Sequence, residues 1–443
     1  MLCAVGAGAG AAVGLVGGAF RWLLLRADTG RTALLHWAHH WPAAGWIAPV
    51  ALVAAGAAAA RYLVRFAPLA SGSGVQDVEA VWRGEAEPPL RVLPVKFAGG
   101  LAGIGSGLAL GREGPTVHMG AVIAAAAGRP LGLDRDDRRI LQAALGGAGL
   151  GVAFNAPAAG MLFSFEEVAR SFRPRLTLVT LIGSATAITC SRLILGNRPD
   201  FLVGPVAAPA GWLIAVYVAF GAVTGVFGVA YNHLILRGLD LFGRFRRYPA
   251  ELRAAAVGGV MGLLLWFAPL GAGGGDVLAQ RVLGGAIGTG ALAWYFLARF
   301  LAGPWSYSAG APGGLFAPLL AVGAVWGALI HRLAEPLLPA LGAQPQALAI
   351  VGMSTFFAAV VRAPVTGIIL IAEMTATTTL LVPMLAAAFA AVLVATLLRN
   401  EPIYDSLRAR MHQHRPAVPP DHTLQGRRLR RPPGTHVTAA GPA

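Results

Sequence analysis

The stretch GLAGIGSGLALGREGPTVHMGA, Gly100 to Ala121, places Gly111-Arg112-Glu113-Gly114-Pro115 at the centre of a glycine-rich, otherwise apolar run. An ionisable side chain inside a membrane is costly, and by default it marks an ion pathway or a proton relay. Gly-Arg-Glu-Gly-Pro also reads as a break between helices, with Pro115 suited to the first position of a new one. A helix that begins within a bilayer aims free N–H groups into a pocket, where they can hold an anion. The plainer alternative is a glutamate on a solvated loop tip. The rest of the chain decides between the two.

Composition sets the class. The chain has 443 residues, 56% hydrophobic and 12% charged, with mean hydropathy +0.64. Soluble proteins carry about a quarter charged residues. Residues 2–20, 42–60, 210–236 and 378–398 contain no Asp, Glu, Lys or Arg. Each is near or above the roughly 20 residues a helix needs to cross the hydrocarbon core. The first lacks a basic region ahead of it and reads as a retained helix rather than a signal peptide. With 59 glycines and 30 prolines, many inside apolar runs, the helices are expected to be short and broken, their ends lining a cavity.

Other chemistries find little support. Cys3 and Cys190 lie in apolar segments, with neither a disulfide framework nor zinc spacing. His36, His39 and His40 have no acid or cysteine beside them and read as a solvated loop. No metal and no cofactor is expected. The net charge of +15 sits in loops and the tail, which argues against nucleic acid. The basic run Gly426 to Pro432 places the C-terminus in the cytoplasm, in contact with anionic membrane lipid. An embedded enzyme would need a nucleophile with its base, or metal ligands. His118 and His233 are isolated, so none is expected.

Along the chain, spans are expected at about 1–25, 42–66, 176–193, 210–236, 252–271, 288–303 and 378–398. Residues 80–96, ending in Lys96, read as a water-exposed connection, and Arg129 to Arg139 as a loop. Glu166 and Glu167 close the apolar segment 140–169. Beyond Tyr404 the chain is Pro/Arg/His-rich and expected to be disordered.

The two halves repeat. Gly111-x-x-x-Pro115 with Gly120-Ala121-Val122 matches Gly314-x-x-x-Pro318 with Gly323-Ala324-Val325, 203 residues on. Ala156-Pro157-x-x-Gly160 with Glu166 matches Ala363-Pro364-x-x-Gly367 with Glu373, 207 residues on. Repeats with breaks at corresponding positions point to a transport site at their interface. A transport domain is expected over 1–400, with repeat one about 1–200 and repeat two about 205–400. Residues 401–443 would hold a helix start with Tyr404 and the tail. The alignment pairs Glu113 with Phe316, which leaves one titratable gate between two helix starts.

Gly72-Ser73-Gly74-Val75-Gln76, Gly111-Arg112-Glu113-Gly114-Pro115, Gly314-Leu315-Phe316-Ala317-Pro318 and Tyr404 resemble the filter motifs of the CLC family of chloride channels and proton-coupled chloride transporters. The likeness runs from the first span to Tyr404. It implies an all-α polytopic membrane protein of two inverted repeats of tilted, partly discontinuous helices. It also implies a homodimer with one anion pathway per subunit, in a bacterial inner membrane. Carried over, Ser73 and Tyr404 would donate hydroxyl hydrogen bonds to chloride, joined by the N–H groups of Leu315 and Phe316. Glu113 would be the external gate and Glu167 the internal proton-transfer residue.

A deprotonated Glu113 and a chloride compete for the same N–H groups, so the binding of one ion is linked to the other. Exchange of chloride for protons is therefore expected. The alternative is a passive voltage- or pH-gated chloride channel of the same fold, against which an acid at Glu167 argues. Glu166 is expected to cap a helix instead. One departure stands out: Gln76 replaces the usual proline of the first motif, with consequences for loop rigidity or ion preference. Ser73, Pro115 and Tyr404 favour chloride over nitrate or fluoride. Regulation by adenine nucleotides is not expected.

Overall fold

The computed structural model describes residues 1–41, 43–341 and 345–414. The first half comprises α1 (Leu2–Ala38), α2 (Ile47–Leu63), α3 (Val75–Trp82), α4 (Val92–Ser106), α5 (Glu113–Gly128), α6 (Arg135–Phe154), α7 (Pro157–Phe163) and α8 (Pro174–Leu195). The second comprises α9 (Ile214–Arg244), α10 (Ala250–Phe267), α11 (Asp276–Leu283), α12 (Thr289–Ser308), α13 (Phe316–Ala334), α14 (Pro345–Val361), α15 (Pro364–Thr375), α16 (Leu381–Leu397) and α17 (Ile403–His414). The described residues form no β-sheet, only two isolated bridges, Gly72 with Pro312 and Gly111 with Gly314.

The packing repeats along with the sequence. α1 lies along α8 as α9 lies along α16, and α5 on α6 as α13 on α14. The halves meet through α2 against α10 and α7 against α15. Small residues cause the close approaches, as they do wherever membrane helices pack without a hydrophobic drive. Gly120 of α5 rests on the Leu145 carbonyl of α6. Its counterpart, Gly323 of α13, rests on the Gly352 carbonyl of α14. A Cβ at either would strike backbone.

The layers follow from hydropathy. Helices α5, α6, α13 and α14 are buried over most of their length. Around them, α8 and α16 turn Leu178, Leu181, Val382, Leu385 and Phe389 outward, a face suited to lipid. Six segments among the described residues are long and apolar enough to cross a membrane: Leu2–Ala38, Ile47–Phe66, Pro174–Leu195, Gly211–Arg244, Ala250–Phe267 and Phe316–Ala334. The uncharged run 378–398 gives a helix of 17 residues, Leu381–Leu397, at the short end of a span.

The structure departs from the sequence reading in several places, one of them α17, which continues past Tyr404 to His414 into the stretch expected to be disordered. Helix α1 runs on to Ala38, so His36 lies on it and His39 caps it. The His39 ring stacks on Trp266 at 4.1 Å, and among the described residues no metal-ligating cluster forms. Glu113, not Pro115, opens α5. Proline at the third position is equally free of an intrahelical partner for its nitrogen, and Pro318 holds the same place in α13. Lys96, read as part of an exposed connection, is fully buried on α4. The basic run 426–432 lies outside the described residues.

Candidate functional site

Three breaks in the chain are tied to one another by backbone. The Gly72 N–H donates to the Ala311 carbonyl at 3.2 Å, and the Gly313 N–H to the Gly72 carbonyl at 3.0 Å. Gly111 and Gly314 exchange N–H···O bonds at 2.8 and 2.7 Å. The starts of α3, α5 and α13 are thereby held around one point. Gly72 and Gly74 sit at φ +63° and +88°, a left-handed region that favours glycine. The His118 ring packs behind Gly74.

Glu113 fills the meeting point. Its Oε1 accepts the Phe316 N–H at 2.6 Å, a charge-assisted bond at a helix N-terminus. A Cβ on Gly111 or Gly314 would collide with this carboxylate. Ser73 and Tyr404, both buried, stand on the other side, with Ser73 Oγ 3.5 Å from the Tyr404 hydroxyl. Leu315 is the buried N-cap of α13. The Phe316 ring is held by Phe163, Phe357 and Tyr404, at centroid distances of 5.7, 4.7 and 5.8 Å. Ala317 and Pro318 complete the first turn of α13. Phe163 and Phe357 have no motif that would have marked them in the sequence.

Arg112 is turned away from this point. Its guanidinium donates to Asp276 at 2.7 Å, to Asp200 at 3.0 Å and to the Ala153 carbonyl at 2.8 Å, and Arg21 also pairs with Asp200. Arg112 thus anchors the break from behind. Two further cations act on backbone. Lys96 Nζ donates to the Ala70 and Gly72 carbonyls at 3.2 and 2.8 Å. In the second half Arg299, also fully buried, donates to the Gly271, Gly273 and Gly274 carbonyls at 3.0, 2.7 and 2.7 Å. Each repeat therefore holds its glycine loop on a buried cation.

The two acids after α7 part company. A π turn, Ser164–Val168, is closed by the Ala169 N–H on the Ser164 carbonyl at 3.0 Å. Glu166 reaches across to the start of α15, accepting the Val365 and Thr366 N–H groups at 3.0 and 2.6 Å. Glu373 of α15 reciprocates at the start of α7, accepting from Ala158 and Ala159 at 3.1 and 2.9 Å. Glu166 is therefore a cap, as expected. Glu167 is buried, with its Oε1 unpartnered, and it faces Glu79 and Arg170. Glu79 is paired with Arg408 at 2.8 Å, and Asp405 binds both Arg408 and Arg170. This ionic cluster pins α17, and with it Tyr404, against α3.

Two cavities approach the site. One of about 750 Å³ is lined by Gly72, Gln76 and Tyr307 beside Ser73, with Arg244 and Arg246. A second, of about 440 Å³, is lined by Glu166, Glu167, Arg170, Ser171 and Phe172. Their linings share no residue. The structure thus gathers Ser73, Glu113, Phe316 and Tyr404 at one point and sets Glu167 at another mouth.

Comparison with known proteins agrees with this architecture. The sequence model of the family described as "Voltage gated chloride channel" matches residues 55–396. The H(+)/Cl(-) exchange transporter ClcA of Vibrio cholerae serotype O1 is 39% identical over 376 residues, 82% of this chain and 79% of its own. ClcA of Citrobacter koseri is 36% identical over 414 residues, 90% of this chain and 86% of its own. The crystal structure of a slow cyanobacterial Cl-/H+ antiporter superposes with a TM-score of 0.87 at 29% identity, covering 93% of this chain and 99% of its own. A CLC-type fluoride/proton antiporter shares the fold at 22% identity, with a TM-score of 0.72 over 89% of this chain and 97% of its own. An all-α membrane protein with helix starts paired across two halves, matched by that model over most of its length, this chain belongs to the voltage gated chloride channel family.

Proposed function

We propose that this chain exchanges chloride for protons across a membrane, with Glu113 as external gate and Glu167 as internal proton-transfer residue. The observation that carries the reading is the Glu113 carboxylate seated on the Phe316 N–H. A carboxylate there takes the place an anion would take. On protonation it loses the charge that the helix start favours and yields the position to chloride. Ser73, Tyr404 and the N–H groups of Leu315 and Phe316 then form the anion site. Partial charges bind chloride weakly enough for release.

Separate mouths support the exchange. Chloride would use the cavity beside Ser73, and protons the one at Glu167, so that Glu113 is where the two routes join. The family resemblance extends this to a homodimer in a bacterial inner membrane, and the basic run Gly426 to Pro432 to a cytoplasmic C-terminus. Liposomes loaded with chloride test the proposal. The wild type should drive protons uphill when chloride runs down its gradient. Glu113→Gln and Glu167→Gln should each stop proton movement while chloride still passes. Free chloride flow without proton movement in the wild type would make the protein a passive channel and remove the role given to Glu167.

A further inference from the structure

The cavity that leads to Ser73 carries two side chains which the exchange reading leaves unused. Gln76 lies in the first turn of α3, one residue after the helix start. It is only 6% exposed and lines the cavity, and its carboxamide nitrogen is a hydrogen-bond donor. Tyr307 of α12 lines the same cavity and is 4% exposed. Its oxygen accepts the Ser73 N–H at 3.3 Å. A phenol that accepts through its oxygen still has its own hydrogen to donate.

We propose that Gln76 and Tyr307 are specificity-determining donors of the anion route, meeting the ion between this cavity and Ser73. The inference rests on the exchange reading above. Proline, which the family resemblance places at position 76, offers no side-chain donor. Here the carboxamide supplies one, and the Tyr307 hydroxyl stands ready beside the same loop. The neighbouring acid does not oppose them as a free charge. Asp77 is engaged and lies within electrostatic reach of the buried Lys96 ammonium.

Donors of this kind rank anions. A small, strongly hydrated ion such as chloride must have its water replaced, and hydrogen-bond donors replace it. A large, weakly hydrated ion such as thiocyanate gains less from them. Removing a donor therefore costs chloride more than thiocyanate, as sites built to hydrogen-bond discriminate by what they leave unpaired.

The experiment compares uptake of chloride and thiocyanate into liposomes by the wild type, Gln76→Met, Gln76→Asn and Tyr307→Phe. Loss of one bond to a charged group predicts a thiocyanate-to-chloride ratio raised roughly tenfold by Gln76→Met and by Tyr307→Phe. Gln76→Asn, which keeps the carboxamide, should restore part of the ranking. If Gln76→Met does not fold, the Asn and Phe variants carry the same comparison. Ratios within about twofold of wild type, in variants that still carry chloride, overturn the inference and leave exchange standing. A wild type that carries no anion overturns the exchange reading, and this inference with it.

Discussion

At the scale of single residues, the site is defined by what leaves room and what does not. Gly114 follows Glu113, and a Cβ there would lie 2.6 Å from Ser73 Oγ and 2.8 Å from the Gly314 Cα. The second neighbour is backbone and cannot rotate away. Gly114→Ala should therefore overpack the junction of the three breaks, at a cost of about 1–3 kcal/mol in stability. The displaced Ser73 hydroxyl should lower chloride turnover at least tenfold. Thermal unfolding in detergent and chloride efflux from liposomes measure the two effects, and near-wild-type efflux would contradict the packing. The glycines of this junction were legible in the sequence because they recur beside proline and a lone acid. Lys96 and Arg299 were not. Their partners are backbone carbonyls, which every residue carries, so hydropathy saw only a polar residue in each case. Asp200 and Asp276 were hidden for a related reason: one lies in a loop 88 positions from Arg112 and the other opens α11, 164 positions away.

At the scale of elements, the crossed caps of α7 and α15 explain how the neighbouring acids Glu166 and Glu167 come to lie in different surroundings. Seven α-helical residues and the five of the π turn occupy the length of the 12 residues of α15. Glu166 and Glu373 thus hold equivalent places and cap each other's helix. The residue after each differs, Glu167 in the first half and Met374 in the second. The repeat match had paired Glu166 with Glu373. Which N–H groups they serve required the contact of α7 with α15. Replacing either acid by alanine orphans two N–H groups and should cost on the order of 1 kcal/mol. Glu166→Ala should in addition slow proton transport, because the cap fixes the turn that carries Glu167. Glu373→Ala should lower the unfolding midpoint without that loss. Equal proton-to-chloride ratios in both variants would show that the cap has no part in orienting Glu167. The same scale exposes the misread end of α1. Polar His36 and His39 suggested a loop, yet a helix extends past the apolar run when a neighbour such as Trp266 offers its ring a surface.

At the scale of the whole molecule, symmetry and its breach divide the labour. What the halves share is structural: glycine contacts, cations under glycine loops, crossed caps. What they do not share is titratable, since Glu113 faces Phe316 and Glu167 answers to Met374 under the same alignment. Under the exchange proposal, a duplicated scaffold with Glu113 and Glu167 in only one half would give a proton route without a mirror image. It can therefore run beside the anion route rather than through it. The two cavities make this testable by chemical modification. In a background with Cys3 and Cys190 replaced by alanine, a single cysteine at the exposed Phe172 samples the mouth by Glu167. One at Leu69 samples the mouth by Ser73. A charged, bulky thiol reagent on Phe172→Cys should cut proton movement. With Glu113→Ala added, where chloride no longer waits on a proton, chloride flux should survive that modification. Modified Leu69→Cys should block chloride in either background. If Phe172→Cys modification stops chloride flux in the Glu113→Ala background as fully as Leu69→Cys does, the mouths share one route. Coupling would then have to arise from competition within a single pore instead of from two paths that meet at Glu113.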